Sequence, residues 1–344
     1  MMSQLWNRVR EERRRRGWSQ AQLAERAGVS RSAVSALENG AAEPSTAAAL
    51  SLARAFDLAV EDLFGLGMAG GEAWAWSGRP GDGRYWRAEV GGRVLRYPVE
   101  WEACGAVSHD GDVAGGSMFR RSSDPRRTLV VAGCDPSVGL LRRELARRGV
   151  RLIAFVRSSA AALELLRSGE VMAAGLHLSE DTAGNAARVG RDLGPGYRLI
   201  HVARWWEGLA ARRGEAGGGA AGLTRPGVRW VGREEGSGAR GCMDAFLEGR
   251  SGAGVERVVR SHRSVAEVVR AGYADVGICV RVVAEEAALA FVPVRAEAYD
   301  LCFRHEAADD PRLVALVDAI RSTRFRTVIG RIPGYESAGT GDLA

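Results

Sequence analysis

Apolar positions in the first 65 residues recur at helical spacing. Leu23, Ala24 and Ala27 share one face of a segment that Ser19 can cap and Gly28 ends, and Val34 and Leu37 share a face of the next, opened by Ser30 and closed by Asn39-Gly40. Residues 3–16 read as a preceding helix, with Leu5, Trp6 and Val9 inward, Arg13 to Arg16 at the carboxyl end and Gly17 as its stop. Pro44, Ser45 and Thr46 open a further helix carrying Leu50, Leu52, Ala53 and Phe56, and Leu58, Val60, Leu63 and Phe64 complete a small all-helical core. Two short helices joined by a tight glycine-containing turn form a helix-turn-helix signal.

The period changes beyond this head. Residues 65–83 are glycine-rich without a helical period and read as a linker, with Trp74 and Trp76 as anchors. RYWRAEVGGRVLRYPVEW alternates on either side of Gly91-Gly92, as a hairpin does, and SHDGDVAGGSMFRR after it matches no motif. From residue 128 buried-strand runs alternate with amphipathic helices: TLVVAGCD, then SVGLLRRELARRG, VRLIAFVRSS, AAALELLRSGE and VMAAGLHL. YRLIHVARW reads as a strand followed by a helix or loop, and a second series runs through VRWVGREEGSG, ARGCMDAFLEG, VERVVRS, SVAEVVRAG, YADVGICV and FVPVRAEAYDLCF. That rhythm predicts a multidomain chain, an all-α head plus a two-lobed α/β domain with a cleft at the join. The expected divisions are a head at 1–66, a linker and small strand-rich segment at 67–127, the α/β domain at 128–325 and a tail at 326–344.

Composition narrows the chemistry. No run of 18 apolar residues occurs and the first residues lack a signal peptide's apolar core, so the expectation is a cytoplasmic protein without a membrane partner. All 48 basic residues are arginine, which excludes a lysine Schiff base or a Walker A lysine. The net charge of +6 is compatible with a nucleic-acid partner, although residues 1–64 alone hold nine arginines against eight acidic residues. Cysteines and histidines are scattered, without a CxxC pair or HExxH, so no metal site and no cofactor is expected. GREEGSG is not a nucleophile elbow and GCDPSVG is not a dinucleotide fingerprint, so an enzyme is not expected. His109 and Asp110 read as turn or interface residues.

SQAQLAERAGVSRSAVSALENG resembles the Cro/repressor-like (XRE) helix-turn-helix family over about residues 5–64. The resemblance implies a homodimer on double-stranded DNA, with Gln20 near a phosphate and Arg31, Ser32 and Ser35 reading base edges or backbone. FVRSSAAALELLRSGEVMAAGLHL, REEGSGARGCMDAFL, SHRSVAEVVRAGYADVGICV and FVPVRAEAYDLCF resemble the type 2 periplasmic-binding-protein fold, in the branch related to molybdate-binding domains of regulators. That resemblance implies Ser158, Ser159, Ser237 and Gly238 as donors at helix starts, His177 nearby, Arg240 neutralising charge and Tyr299 closing on the ligand. Ala239 stands where a serine or threonine is expected, so one hydroxyl contact is missing. The chain then reads as a one-component transcriptional regulator sensing molybdate, tungstate or a related anion. The alternatives are a small organic solute or, further off, an enzyme in the cleft.

Overall fold

The computed structural model describes residues 4–39, 41–58, 60–67, 73–76, 84–99, 109–112, 124–214, 219–248 and 254–344. They belong to two compact units, Met1–Pro125 and Arg126–Ala344. The first opens with β1 (Gln4–Asn7), α1 (Val9–Arg15), α2 (Gln20–Ala27), α3 (Arg31–Glu38), α4 (Thr46–Ala55), α5 (Val60–Leu63) and β2 (Phe64–Gly67). The helix expected over 3–16 is shorter than its apolar pattern suggested. Residues 4–7 instead pair antiparallel with 64–67, and the Asn7 side chain accepts the Val9 N–H at 3.3 Å, so the helix starts only after that residue. Val9, Leu23, Val34, Leu37, Leu52, Phe56 and Leu63 form the core of this head.

Four further strands follow in the same unit: β3 (Ala73–Trp74), β4 (Arg84–Val90), β5 (Arg93–Pro98) and β6 (Gly111–Asp112), in the order β3-β5-β4-β6. The β4–β5 hairpin turns at Gly91 and Gly92, whose φ values of 57° and 74° suit glycine. Asp110 is buried and accepts the Arg87 N–H at 2.7 Å, a turn-fixing role. Most of the irregular stretch from 108 to 121 lies outside the described residues.

The second unit runs β7 (Thr128–Gly133), α6 (Val138–Arg147), β8 (Arg151–Val156), α7 (Ser159–Arg167), β9 (Ala173–Leu176), α8 (Thr182–Leu193), β10 (Tyr197–Ala211) and α9 (Gly219–Gly222). It continues with β11 (Arg229–Arg233), α10 (Gly238–Leu247), β12 (Gly254–Val259), α11 (His262–Arg270), β13 (Val276–Val280), α12 (Arg281–Glu286), β14 (Ala290–Arg304), α13 (Pro311–Arg321), α14 (Thr323–Ile329) and β15 (Tyr335–Glu336). One sheet of nine strands holds them, in the order β12-β11-β13-β10-β14-β9-β7-β8 with β15 on β10. β7, β8 and β9 are parallel and make one lobe; β11, β12 and β13 make the other. The antiparallel pair β10 and β14, 15 residues each, carries the chain between them.

Two features depart from expectation. The strand at YRLIHVARW does not give way to a helix or loop but runs to Ala211, because both of its neighbours pair with it and all residues from Trp205 to Ala211 except Trp206 are buried. Residues 326–344 are no free tail. Tyr335 and Glu336 pair with Trp205 and Arg204, and Ala344 exchanges backbone hydrogen bonds with Leu199 at 2.9 and 3.0 Å.

Candidate functional site

In the head, Ser19 and Gln22 form a reciprocal capping box at the start of α2, Gly28 ends the helix at φ 63°, and Ser30 caps α3 by accepting the Ala33 N–H at 3.1 Å. With Val34 and Leu37 buried on one side of α3, Arg31 and Ser32 are exposed and Ser35 is half-buried. Gln20, expected at a phosphate, is engaged internally and donates to Glu38 at 3.0 Å. Of the arginine run, Arg13 grips Glu38 through two bonds of 2.5 and 2.9 Å, and Arg16 donates to Glu12 and to the Phe56 carbonyl.

The second site lies where the lobes meet. Strand register places Trp205 opposite Glu297, Glu207 opposite Arg295 and Ala203 opposite Tyr299, so Trp205, Glu207, Arg295, Glu297 and Tyr299 line one face of the central strand pair. The first lobe adds Cys134 just after β7, His177 just after β9 and Ser159 at the start of α7; the second adds Arg233 at the end of β11, Ser237 and Gly238 at α10 and His262 at α11. These are the carboxyl ends of parallel strands and the amino ends of helices, where loops converge and backbone amides point outward. The lobes touch here. Ala160 N donates to the Gly236 carbonyl at 3.1 Å, and Gly238 lies against His177.

His177 is the hub. Its Nε2 is 3.0 Å from Cys134 Sγ, its Nδ1 is 2.6 Å from Glu297 Oε2 and 3.4 Å from Glu207 Oε1, and its backbone N–H donates to Ser159 Oγ at 3.2 Å. Arg295 in turn bonds Glu297. His262 Nε2 stands 3.8 Å from Glu207 Oε1. Both Glu207 oxygens, both His262 ring nitrogens, Arg233 Nε and Nη1, and Arg295 Nε are buried without a hydrogen-bond partner among the described residues. So many unpaired polar atoms in one enclosed place are costly for a folded chain, and they mark where a bound group would make the missing bonds.

Burial and Glu297 push Glu207 up to about 8, against the pull of His177, Arg295 and Arg233. Burial would lower His177, but the Cys134 sulfur and the two glutamates outweigh it and hold the imidazole well above its ordinary range. Burial, with Arg233 and His177 adding to it, drives His262 well below that range, so it is neutral at pH 7. The raised Glu207 has a direct consequence for stability. Between the ordinary carboxyl value and about 8 the native state keeps a proton that the unfolded chain releases, so stability falls as pH rises through this window. Glu207→Gln, uncharged throughout, should remove a slope of about 1.4 kcal/mol per pH unit. Urea titrations of both proteins from pH 5.5 to 7.5 read that difference; parallel slopes would contradict it.

Several expected residues are placed otherwise. Ser158 is a cap, accepting the Ala161 N–H at 3.4 Å, while Ser237 caps α10 at Arg240 N and donates to the Glu234 carbonyl. Arg240 turns along its helix to Asp244 at 2.8 Å, away from the buried cluster. Tyr299 is floor rather than lid: it is buried, stacks on Trp205 at 4.7 Å, and its hydroxyl fits between Gly133 and Gly175. No local pattern marks Cys134, Glu207, Arg233, Arg295 and Glu297 as ligand-binding residues, because they lie far apart in the chain and meet only through sheet topology. The signal within reach was a glutamate beside small or apolar residues in each of two strand segments, EGLAA and AEA.

A model described as a PBP superfamily domain matches residues 142–321 and one described as helix-turn-helix matches residues 9–63. The chain belongs to the PBP superfamily domain family and carries a helix-turn-helix head. It is a helix-turn-helix regulator joined to a periplasmic-binding-protein-like domain. The uncharacterized protein YvgK of Bacillus subtilis is 29% identical over 233 residues, which is 64% of this chain and 74% of that protein. The uncharacterized HTH-type transcriptional regulator YgzD of the same organism is 45% identical over 60 residues, 17% of this chain and 91% of the relative. Among solved structures, that of the tungstate ABC transporter from Geobacter sulfurreducens is similar at TM-score 0.46 and 13% identity, covering 59% of this chain and 97% of the other. Among the described residues no helix is long and apolar enough to cross a membrane.

Proposed function

We propose that this chain is a one-component transcriptional regulator, a cytoplasmic homodimer that binds operator DNA through its head and takes a compact anionic effector in the cleft of its α/β unit. The observation that carries this reading is the closed cleft whose buried Arg233, Arg295, His262 and Glu207 atoms lack partners. Two arginines and a protonated His177 outnumber the Glu297 carboxylate, since Glu207 holds its proton below about 8, and leave an excess of positive charge there. The starts of α7, α10 and α11 add outward-pointing amides, so a small dianion fits the balance. Molybdate and tungstate are the first candidates, with sulfate, phosphate and organic acids behind them; the two guanidinium groups keep a carboxylate ligand as the second reading. Binding without turnover is the expected behaviour.

Linkage supplies the mechanism. An effector that binds the closed lobes better than the open ones shifts DNA affinity, and DNA must shift effector affinity by the same factor. Titration calorimetry against molybdate, tungstate, sulfate, phosphate and an organic-acid panel tests the ligand class. Heat from organic acids alone would overturn the oxyanion and keep the sensor. For the head, Arg31→Ala should relax base preference at one position of each half-site, at about 1–3 kcal/mol of discrimination. A uniform loss across DNA sequences would put Arg31 on phosphate instead. Light scattering with and without DNA checks the dimer, which paired half-sites require.

A further inference from the structure

We propose that Cys134, His177 and His262 bind a transition-metal ion of the zinc type in the floor of the cleft. One donor atom from each of these three residues lies within 4.8 Å of the other two, and all three side chains are buried. The donors come from both lobes: Cys134 and His177 follow strands of the first, and His262 opens a helix of the second. A thiol with two imidazoles is a soft-to-borderline set that selects zinc, cobalt or nickel over magnesium and calcium.

Two further features point to a metal rather than to packing. Among the described residues neither ring nitrogen of His262 has a hydrogen-bond partner, although the residue is buried; a histidine kept only for packing would bond to backbone or a side chain. Glu297 Oε2 lies 2.6 Å from His177 Nδ1 and leaves Nε2 turned to Cys134 Sγ, the carboxylate–histidine arrangement that orients a metal ligand. The present 3.0 Å between Sγ and Nε2 would widen to about 3.6 Å around a tetrahedral ion. On binding, the thiol S–H and the His177 Nε2–H give their protons to solvent, and sulfur and nitrogen lone pairs take the metal; nothing is oxidised or reduced. Three protein ligands leave one coordination position, open to Glu207 or to an anionic effector. The site therefore goes beyond the anion reading and does not depend on which anion binds.

Full-length protein stripped with a chelator and titrated with Co²⁺ tests this. The expected result is tight uptake of one cobalt per chain, with a sulfur-to-cobalt charge-transfer band in the near ultraviolet, visible bands of a four-coordinate ion, and displacement by Zn²⁺. Cys134→Ser should abolish the charge-transfer band, His262→Gln should weaken uptake at least tenfold, and Glu297→Gln should weaken it by roughly 10–100-fold, with circular dichroism checking that each variant folds. No cobalt or zinc uptake would overturn the site. So would uptake that lacks the sulfur band, or that Cys134→Ser and His262→Gln leave unchanged, since the ion would then sit on other residues. Molybdate titrations of the metal-free and zinc-loaded protein keep the two readings apart. Molybdate binding by a protein that takes no cobalt refutes the metal alone, whereas sulfur-ligated cobalt with no anion binding supports the metal and refutes the anion.

Discussion

A Gly238→Ala protein is expected to keep its affinity for DNA in the absence of ligand and to lose its response to any cleft ligand, with ligand affinity falling a hundredfold or more. The reason is a single missing carbon. A Cβ at Gly238 would stand 2.0 Å from the His177 carbonyl oxygen and 2.4 Å from His177 Nδ1, contacts no methyl can make. Backbone and a ring held by Glu297 cannot step aside cheaply, so the two lobes must part. A penalty of about 3 kcal/mol on the closed state alone lowers ligand affinity by about two orders of magnitude. Gly241 provides the control. It lies on the same helix with nothing within 4 Å of its Cβ position, so Gly241→Ala should bind ligand normally and stabilise slightly. Equal ligand affinity in Gly238→Ala and the parent would show that closure at this contact is not part of binding.

The second large effect belongs to the head. Glu38→Ala should destabilise the helical core by about 3–5 kcal/mol and abolish DNA binding at ordinary temperatures. The Glu38 side chain is 1% exposed and receives Arg13 through two bonds, Gln20 through a third and Arg10 at 3.7 Å, tying α1 and α2 to the end of α3. Removing the carboxylate leaves Arg13 and Gln20 without it in a poorly hydrated place. Burial opposes ionisation of Glu38, but the bonds from Arg13 and Gln20 and the charges of Arg13 and Arg10 outweigh it and hold the carboxyl below its ordinary range. The contribution is therefore complete above that range and is lost as pH falls through the lowered value. Circular dichroism melts of the two proteins at pH 7 and stepwise downward from pH 4 measure it; a gap between them that does not shrink in acid would refute the ion-pair account.

Local patterns were readable wherever local physics decides the outcome. Ser19 and Ser30 cap the helices they were expected to cap, Ser45 stands at the start of the helix expected there, Gly28 ends α2, and Gly91-Gly92 turns the hairpin, because a cap or a turn involves only a few neighbouring residues. The alternation of strand and helix after residue 128 likewise announced an α/β domain, parallel within each lobe, but not the antiparallel β10 and β14 between the lobes. The first strand was hidden because QLWN reads as a helical turn until its partner, 57 positions or more away, is known. The same nonlocality hid most of the residues that meet at the floor of the cleft. Serines at helix starts were visible, yet Ser158 and Ser237 are bound up in capping, whereas Cys134, His177, His262 and the two glutamates become one site only when β7, β9, β10, β14 and α11 converge. Among the expected ligand residues, the structure joins His177 and Ser159 to that centre by hydrogen bonds, sets Gly238 against His177 and makes Tyr299 part of its floor.

The strand pair that joins the lobes has irregular register between His201 and Ala203 and again between Glu207 and Gly208, on either side of Trp205. At the second, a Cβ on Gly208 would stand 2.2 Å from the Val292 carbonyl, so the close approach there is reserved for glycine. Such irregularities bend a strand and increase its local twist, so Trp205 and its stack with Tyr299 sit on a short regular stretch between two bends. Opening such a sheet is an elastic deformation with a restoring force, unlike the free swing of two bodies on a tether, and effector binding would work against or with that spring.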